Sequence, residues 1–493
     1  MLPVFCLPSD YGIGTFGHEA YRFVDFLAAA GQRYWQVLPF NPIDGAGSPY
    51  CSPSAFAGNY LFIDPQGLQD MGLATAEEVA ANHYDGTPYT ADFAFAGERR
   101  LALLEQAFLR IDDTLAAKIK AFEVENPWLT DYSVFMAVKE AEGGKPWWQW
   151  SDHHAHYHTC IQDIYAYESR AAFWKFVQYI FHLQWGNIKA YANEKGVAVL
   201  GDMPIYVAMD SADVWSGLPL FLIDEKTLKP EKVAGVPPDY FSENGQLWGN
   251  PIYDWDRMKQ DNYRWWVGRI GFAKKIYDIV RIDHFIGFNS YYAIPFGSKT
   301  AHGGKWCEGP KYDLFRVIKQ ETGNGGIIAE DLGIITPPVR KLLRQAAYPG
   351  MKVLQFAFDP SGDSEYLPQN YKSQNCAVYT STHDSDTAAG WFNDLDRNTK
   401  RFVKEYLGIR KAAELPRAFI DIAWKSTADI AMTTIQELQG FGTEARINVP
   451  STVGNNWRWR TLKEDFTDEN AEYLNRLTEI TNRKPPIKRK NKK

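Results

Sequence analysis

The chain has 493 residues, of which 45% are hydrophobic and 23% are charged, and its formal net charge is -7. This composition is typical of an ordinary globular protein and excludes a long disordered or fibrous one. Basic residues crowd into the last eleven positions, 483–493, so the remainder is strongly acidic. A nucleic-acid-binding protein needs a basic face, and this chain does not offer one.

Neither end of the chain suggests a membrane or secretory destination. No apolar run approaches the roughly 20 residues of a membrane span. The apolar residues 2–7 are too short and too interrupted by proline for a signal peptide, and the five cysteines are scattered. We therefore expect a cytoplasmic protein without a membrane partner, and a basic, disordered tail at 483–493.

Seven short apolar runs recur along the chain, and each ends in polar residues. They are 34–40, 197–207, 278–285, 326–332, 351–358, 376–384 and 431–438. Runs of this kind indicate strands that are buried on both faces, as in a parallel sheet. Helical patterns lie between them, for example at 18–30, 263–277, 311–322 and 338–347. The alternation predicts an α/β fold, and the number of repeats favours a (β/α)8 TIM barrel over a doubly wound sheet.

Two segments do not fit a bare barrel. Residues 68–185 have helical patterns and no clear strand, which predicts an inserted helical subdomain. Residues 235–255 are rich in proline, glycine and aromatic side chains, and a loop of this length in a compact domain is usually functional. We expect one catalytic domain over 1–482, with this loop covering the substrate.

Three carboxylates stand at the ends of predicted strands, where a barrel of this type places its active site. They are Asp283, Glu330 and Asp384. Helix capping or a surface ion pair would explain any one of them, but three at strand ends point to a site. Cleavage of a glycosidic bond needs a carboxylic acid and a carboxylate on opposite faces of the sugar. Arg281 shares the strand face of Asp283, so we expect it to keep Asp283 ionised and nucleophilic.

Two other patterns look chemical and are better explained structurally. The glycines at 12, 14 and 17 match a dinucleotide-binding fingerprint, but no strand runs directly into them and no acidic residue ends the next strand. The histidine-rich segment 153–158 has no tetrahedral metal-ligand pattern on a rigid element. We therefore expect no organic cofactor and no metal.

Several motifs resemble known families. The segments 281–283 (RID), 329–333 (AEDLG) and 382–384 (THD), in this order, resemble the α-amylase superfamily. Further segments resemble glycoside hydrolase family 77, the amylomaltase family of 4-α-glucanotransferases: 34–39 (YWQVLP), 48–52 (SPYCS), 201–207 (GDMPIYV), 247–251 (LWGNP) and 446–450 (RINVP). The resemblance extends from about residue 11 to residue 460.

The resemblance implies a role for each matching residue. Asp283 corresponds to the nucleophile, Glu330 to the general acid and base, and Asp384 to a third carboxylate that holds the sugar hydroxyls. The other matching positions correspond to substrate contacts: Tyr50, Asp202, Trp248, Arg281, His383 and Asn448. Of these, Trp248 corresponds to an aromatic ring on a loop over the acceptor, and Asn448 to a glucan contact.

The implied activity is transfer of an α-1,4-glucan segment to the 4-hydroxyl of glucose or of another α-glucan, through a covalent glycosyl-enzyme. The donor would be a maltodextrin or a fragment of starch or glycogen. Two alternatives stay open at this point. An α-glucan hydrolase would use the same carboxylates, and a catalytically inactive glucan-binding protein would keep the aromatic side chains.

Overall fold

A computed structural model of the chain describes residues 1–43, 45, 47–238, 243–333 and 335–484. The predicted disordered tail lies outside these residues, apart from Arg483 and Lys484. The described residues form thirteen strands: β1 Tyr34–Gln36, β2 Ala198–Met203, β3 Ile223–Asp224, β4 Lys229–Pro230, β5 Lys232–Val236, β6 Gln246–Pro251, β7 Ile279–Ile282, β8 Ser290–Pro295, β9 Lys305–Glu308, β10 Ile327–Ala329, β11 Gly350–Val353, β12 Cys376–Tyr379 and β13 Ile430–Met432.

The same residues form nineteen α-helices, none of which is both long enough and apolar enough to cross a membrane. They are α1 His18–Ala29, α2 Pro65–Asp70, α3 Ala76–Ala80, α4 Phe93–Phe108, α5 Asp113–Glu125, α6 Trp128–Ala141, α7 Asp152–Ala155, α8 Tyr157–Cys160, α9 Glu168–Glu194, α10 Ala212–Ser216, α11 Trp255–Gln260, α12 Arg264–Ile276, α13 Lys311–Thr322, α14 Pro337–Ala346, α15 Ala388–Asp394, α16 Arg397–Leu407, α17 Leu415–Lys425, α18 Ile435–Gln439 and α19 Asp468–Ile480.

The central element is a curled parallel sheet of seven strands in the order β1-β2-β7-β10-β11-β12-β13. Each strand overlaps one of the seven predicted runs, and helices alternate with them along the chain, so the predicted (β/α)8 barrel is confirmed. Met1 and Leu2 bridge the two edges of the sheet. The Leu2 N–H donates to the Gln36 carbonyl at 3.0 Å, and the Met1 carbonyl accepts from the Ile435 N–H at 3.3 Å.

Burial on both faces explains why these strands lack an alternating pattern. All four residues of β12 are buried, and so are five of the six residues of β2. Helices cover the outside of the sheet with apolar faces, as α1 does with Phe23, Val24 and Leu27. Polar residues are therefore concentrated beyond the carboxyl ends of the strands, where the chain leaves the core.

The range 68–185 contains helices α3 to α8 and most of α9, with no strand. The long helix α9 continues to Glu194 and leads into β2, so the expected boundary at 185 lies inside a helix. Two glutamines of α9 fix the segment that follows β1. Gln178 exchanges hydrogen bonds with the backbone of Gly58 (2.7 and 2.9 Å), and Gln184 does so with Asp64 (2.7 and 3.2 Å).

The segment 235–255 is only partly a loop. Its described residues include β6, which pairs antiparallel with β5 in a second sheet of order β6-β5-β8-β9. Trp248 therefore lies within a strand and not at the tip of a loop. The expectation of a long covering loop missed this pairing, although the segment does contain the residues that connect the two strands, of which 239–242 lie outside the described residues.

Candidate active site

Residues of the predicted site converge at the carboxyl ends of neighbouring barrel strands. Asp202 lies on β2, and its direct partner in the register of the sheet is Arg281 on β7. Asp283 follows β7 and Glu330 follows β10, the next strand in the sheet. The loop after β12 carries Asp384. The alternation of inward side chains along parallel strands explains why these groups meet.

Arg281 is the central cation of the site and is almost completely buried. Its Nη1 donates to both oxygens of Asp202, at 2.7 and 2.6 Å, and to Oδ1 of Asp283 at 3.1 Å. Its Nη2 lies 3.2 Å from Oε2 of Glu330. Three carboxylates therefore share one guanidinium, which offsets part of the cost of removing them from water.

The carboxyl groups of Asp283 and Glu330 are within hydrogen-bonding reach of each other. Burial and the neighbouring Glu330 raise the pKa of Asp283 well above its usual range. Burial alone would raise the pKa of Glu330 too, but Arg281 and the backbone N–H of His284 lower it overall. The surroundings of the pair therefore favour a protonated Asp283 and an ionised Glu330.

This distribution is opposite to the one expected from sequence. Arg281 does not keep Asp283 ionised, because its Nη1 is directed chiefly to Asp202, at distances 0.4 to 0.5 Å shorter than the one to Asp283. Glu330 instead receives Nη2 of Arg281 and the N–H of His284, whose hydrogen bond is 2.6 Å long. Glu330 thus accepts from two donors and Asp283 from one, so the carboxylate of Glu330 is the more strongly stabilised.

His284 is a site residue that the sequence did not indicate. Its backbone is left-handed, with φ of 49°, and this conformation directs its N–H to Glu330. The imidazole contacts the edge of Trp248, with ring centroids 5.0 Å apart at 90°. Burial lowers the pKa of His284, so the ring is neutral. A positive φ at a non-glycine residue is the signal that could have marked it, but a sequence does not reveal one.

Trp248 is half-buried and contacts the barrel through two rings. Besides His284, it lies 6.1 Å from the ring of Tyr206, and its Nε1 donates to Gln246 at 3.0 Å. The strand β6 thus places Trp248 beside the residue that holds Glu330.

Asp384 is the most exposed of the three carboxylates, with 44% of its side chain accessible. Its Oδ1 accepts from the Asn448 amide at 2.7 Å, and its Oδ2 lies 3.4 Å from Nε2 of His383. Arg446 donates to the Asp384 carbonyl at 2.9 Å. An accessible carboxylate with a fixed orientation is suited to binding hydroxyl groups.

Tyr50 connects Asp202, the partner of Arg281, with His383, the neighbour of Asp384. Its hydroxyl donates to Oδ2 of Asp202 at 2.8 Å and lies 2.9 Å from Nε2 of His383. The rings of Tyr50 and His383 are stacked, with centroids 5.4 Å apart. Trp457, which the sequence did not single out, contacts both rings at 5.7 and 5.9 Å. All nine predicted site residues therefore belong to one connected cluster.

The part of the chain that the structure describes contains no group of three or more histidine, cysteine or acidic side chains arranged to hold a metal ion. Asp202, Asp283 and Glu330 are all engaged by Arg281. A neighbouring pair of carboxyl groups at the carboxyl edge of a parallel barrel is the arrangement expected of an enzyme that breaks and forms glycosidic bonds.

Comparison with known proteins narrows this class. The family model for 4-alpha-glucanotransferase, glycoside hydrolase family 77, matches residues 2–464. A 4-alpha-glucanotransferase from Clostridium butyricum is 42% identical over 485 residues, covering 97% of this chain and 99% of the relative. One from Thermus thermophilus is 40% identical over 491 residues, covering 97% of each. The amylomaltase from Streptococcus agalactiae, solved in complex with acarbose, has a TM-score of 0.94 at 37% identity and covers 98% of this chain and 99% of its own. The chain belongs to the 4-alpha-glucanotransferase family.

Proposed function

We propose that the chain transfers a segment of an α-1,4-glucan to the 4-hydroxyl of glucose or of another α-glucan, by a retaining double displacement. The observation that carries the mechanism is that Asp283 and Glu330 share one guanidinium, at 3.1 Å from Nη1 and 3.2 Å from Nη2 of Arg281. An inverting enzyme needs its two carboxyl groups about 6.5–9.5 Å apart to hold a water molecule between them and the sugar. Two carboxyl groups that share one guanidinium lie close together, which suits a retaining enzyme, whose pair is only about 5–5.5 Å apart.

In the first step, a carboxylate oxygen of Asp283 attacks the anomeric carbon of the donor. Glu330 gives its proton to the glycosidic oxygen, and the reducing-end fragment of the donor departs. The product is a covalent glycosyl ester on Asp283. In the second step, the 4-hydroxyl of the acceptor attacks the same carbon, its proton passes to Glu330, and Asp283 leaves as a carboxylate. Two inversions restore the α-linkage.

The first step requires the proton on Glu330, whereas the surroundings of the pair favour the proton on Asp283. We therefore propose that donor binding moves this proton across the pair. The glycosidic oxygen is a new hydrogen-bond acceptor beside Glu330, and the positive charge that develops on the sugar stabilises an ionised Asp283. Because the two groups are coupled, their titrations belong to the pair and not to either residue.

The remaining residues would bind the sugar beside the scissile bond. Asp384 is accessible and held by Asn448, so it can accept hydrogen bonds from two sugar hydroxyls. His383 and Tyr50 form a stacked wall next to it. Asp202 orients Arg281 and Tyr50 by accepting a hydrogen bond from each of them.

Transfer differs from hydrolysis only in what resolves the glycosyl-enzyme. Trp248, which lies on β6 and contacts the ring of His284, offers a flat face on which an acceptor glucose can stack. A stacked acceptor presents its hydroxyl at high effective concentration and occupies the path of water.

Incubation with maltotriose and chromatography of the products tests the proposal. We expect glucose together with a ladder of longer glucans. Short sugars with steadily rising reducing ends would indicate a hydrolase, and unchanged maltotriose would indicate a binding protein. Either result would contradict transfer.

A further inference from the structure

The loop between β12 and α15, residues 380–387, carries both His383 and Asp384. The side chain of Asp384 has few supports of its own, namely Asn448 at 2.7 Å and His383 at 3.4 Å. Its position relative to Asp283 and Glu330 therefore depends on the backbone of this loop.

One buried side chain holds both ends of the loop. Glu437, on the short helix α18, is completely buried. Its Oε1 accepts from the Ser381 hydroxyl at 2.5 Å, where the loop begins. Both of its oxygens accept from the N–H of Ala388, at 2.9 and 3.0 Å, where the loop ends.

These hydrogen bonds offset the free-energy cost of burying the carboxylate of Glu437. Within the described part of the chain, Glu437 has no ion-pair partner, so its carboxylate relies on hydrogen bonds alone. The Ala388 N–H lies in the first turn of α15, where backbone donors have no partner within the helix. The buried carboxylate of Glu437 thus accepts hydrogen bonds from donors at both ends of one functional loop.

We propose that Glu437 is a positioning residue for the transfer reaction, which sets the place of His383 and Asp384 by clamping the ends of their loop. This inference rests on the proposed function and assigns a role to a residue outside the catalytic cluster. Glu437 acts through Ser381 and Ala388 and touches no substrate.

The clamp is strongest when Glu437 is ionised, because a carboxylate accepts charge-assisted hydrogen bonds that are stronger than those to a neutral carboxyl group. Burial, together with the charge of Asp386 on the same loop, raises the pKa of Glu437 to about 7. Asp386 itself is fixed by the Thr443 hydroxyl at 2.8 Å and by the Thr387 N–H at 2.7 Å. Below pH 7 Glu437 takes up a proton and loses this charge, so both hydrogen bonds of the clamp weaken.

The test is Glu437→Gln, assayed for transfer from maltotriose between pH 5 and pH 9. The amide oxygen can replace Oε1, but its NH2 group then faces the Ala388 N–H, donor against donor. We expect kcat to fall on the order of 10- to 100-fold above pH 7, since a displacement of about 1 Å can cost 10²-fold. The ratio of variant to wild-type kcat should rise as the pH falls below 7, where the wild-type clamp is also weakened.

Glu365→Gln is the matched control. Glu365 also accepts hydrogen bonds, from Arg340 at 2.9 Å and from Lys352 at 3.1 Å, but it lies outside the loop. Its pKa is lowered to about 2, chiefly by Arg340, so its variant should show a constant ratio to wild type across this pH range. A constant ratio for Glu437→Gln, whatever its size, would contradict the clamp.

Ser381→Ala removes one end of the clamp with little change in volume, and it decides the question if Glu437→Gln does not fold. It should lower kcat in the same direction and leave KM nearly unchanged. Full kcat in a folded Ser381→Ala variant would overturn the proposal. If the wild-type chain itself forms no ladder from maltotriose, the proposed function fails and not the clamp alone.

Discussion

Replacement of Asp283 by asparagine should abolish transfer and make the protein more stable at neutral pH. The amide keeps the shape of the side chain but is not a competent nucleophile, so kcat should fall by several orders of magnitude. Retention of more than about a tenth of wild-type turnover would remove Asp283 from the nucleophile role.

The stability effect follows from the proton on the coupled pair. Burial and Glu330 raise the pKa of Asp283, so the folded chain binds a proton that the unfolded chain releases once the pH exceeds about 4. Stability therefore falls as the pH rises from the unfolded pKa to the folded one, by about 1.4 kcal/mol for each unit that separates them. Asparagine does not titrate and escapes this cost.

Thermal melting of wild type and Asp283→Asn from pH 4 to pH 8 measures the effect. The two melting temperatures should be most similar near pH 4, where the unfolded chain has only begun to release this proton, and the variant should gain on wild type as the pH rises. A variant that is less stable than wild type by the same amount at every pH would refute the proton distribution derived from the structure.

Three further outcomes follow from the site. Glu330→Gln should lose most transfer from maltotriose but should still react with an α-glucosyl fluoride, whose leaving group needs no proton; equal losses on both donors would mean that another residue is the acid. Trp248→Ala should raise the ratio of hydrolysis to transfer. Trp306→Ala should not, because it changes an exposed tryptophan of β9 in the same sheet. An unchanged ratio for Trp248→Ala would exclude its acceptor role. Dialysis against EDTA should leave activity intact, because the carboxylates of the site are occupied by Arg281, and activity restored by one added metal would contradict this.

The barrel could be predicted because its strands are short, buried on both faces and separated by helices. The seven runs located the seven strands, although they extended several residues beyond them, since apolar residues continue into the turns above the sheet. The same runs placed Asp283 and Glu330, because a polar residue directly after a buried strand lies at the carboxyl edge. Residues 246–251 were missed as a strand because their glycine, asparagine and proline are typical of loops.

The proton distribution could not be predicted from local sequence. It depends on the 2.6 Å hydrogen bond from the His284 N–H, which requires a left-handed backbone at that residue. It depends equally on Asp202, which is distant in sequence and draws Arg281 away from Asp283. Glu437 and Trp457 were missed for the same reason, because their roles arise from contacts with residues 49 to 407 positions away.

A covalent sugar on Asp283 is the most direct evidence for the proposed double displacement. Glu330→Gln incubated briefly with an α-glucosyl fluoride should accumulate the glycosyl-enzyme, because the second step lacks its base. Proteolysis and mass spectrometry should then find one added hexosyl group on the peptide that contains Asp283, and none when Asp283 is also changed to asparagine. A hexosyl group on another carboxylate, or turnover of the fluoride with no labelled peptide, would contradict the account.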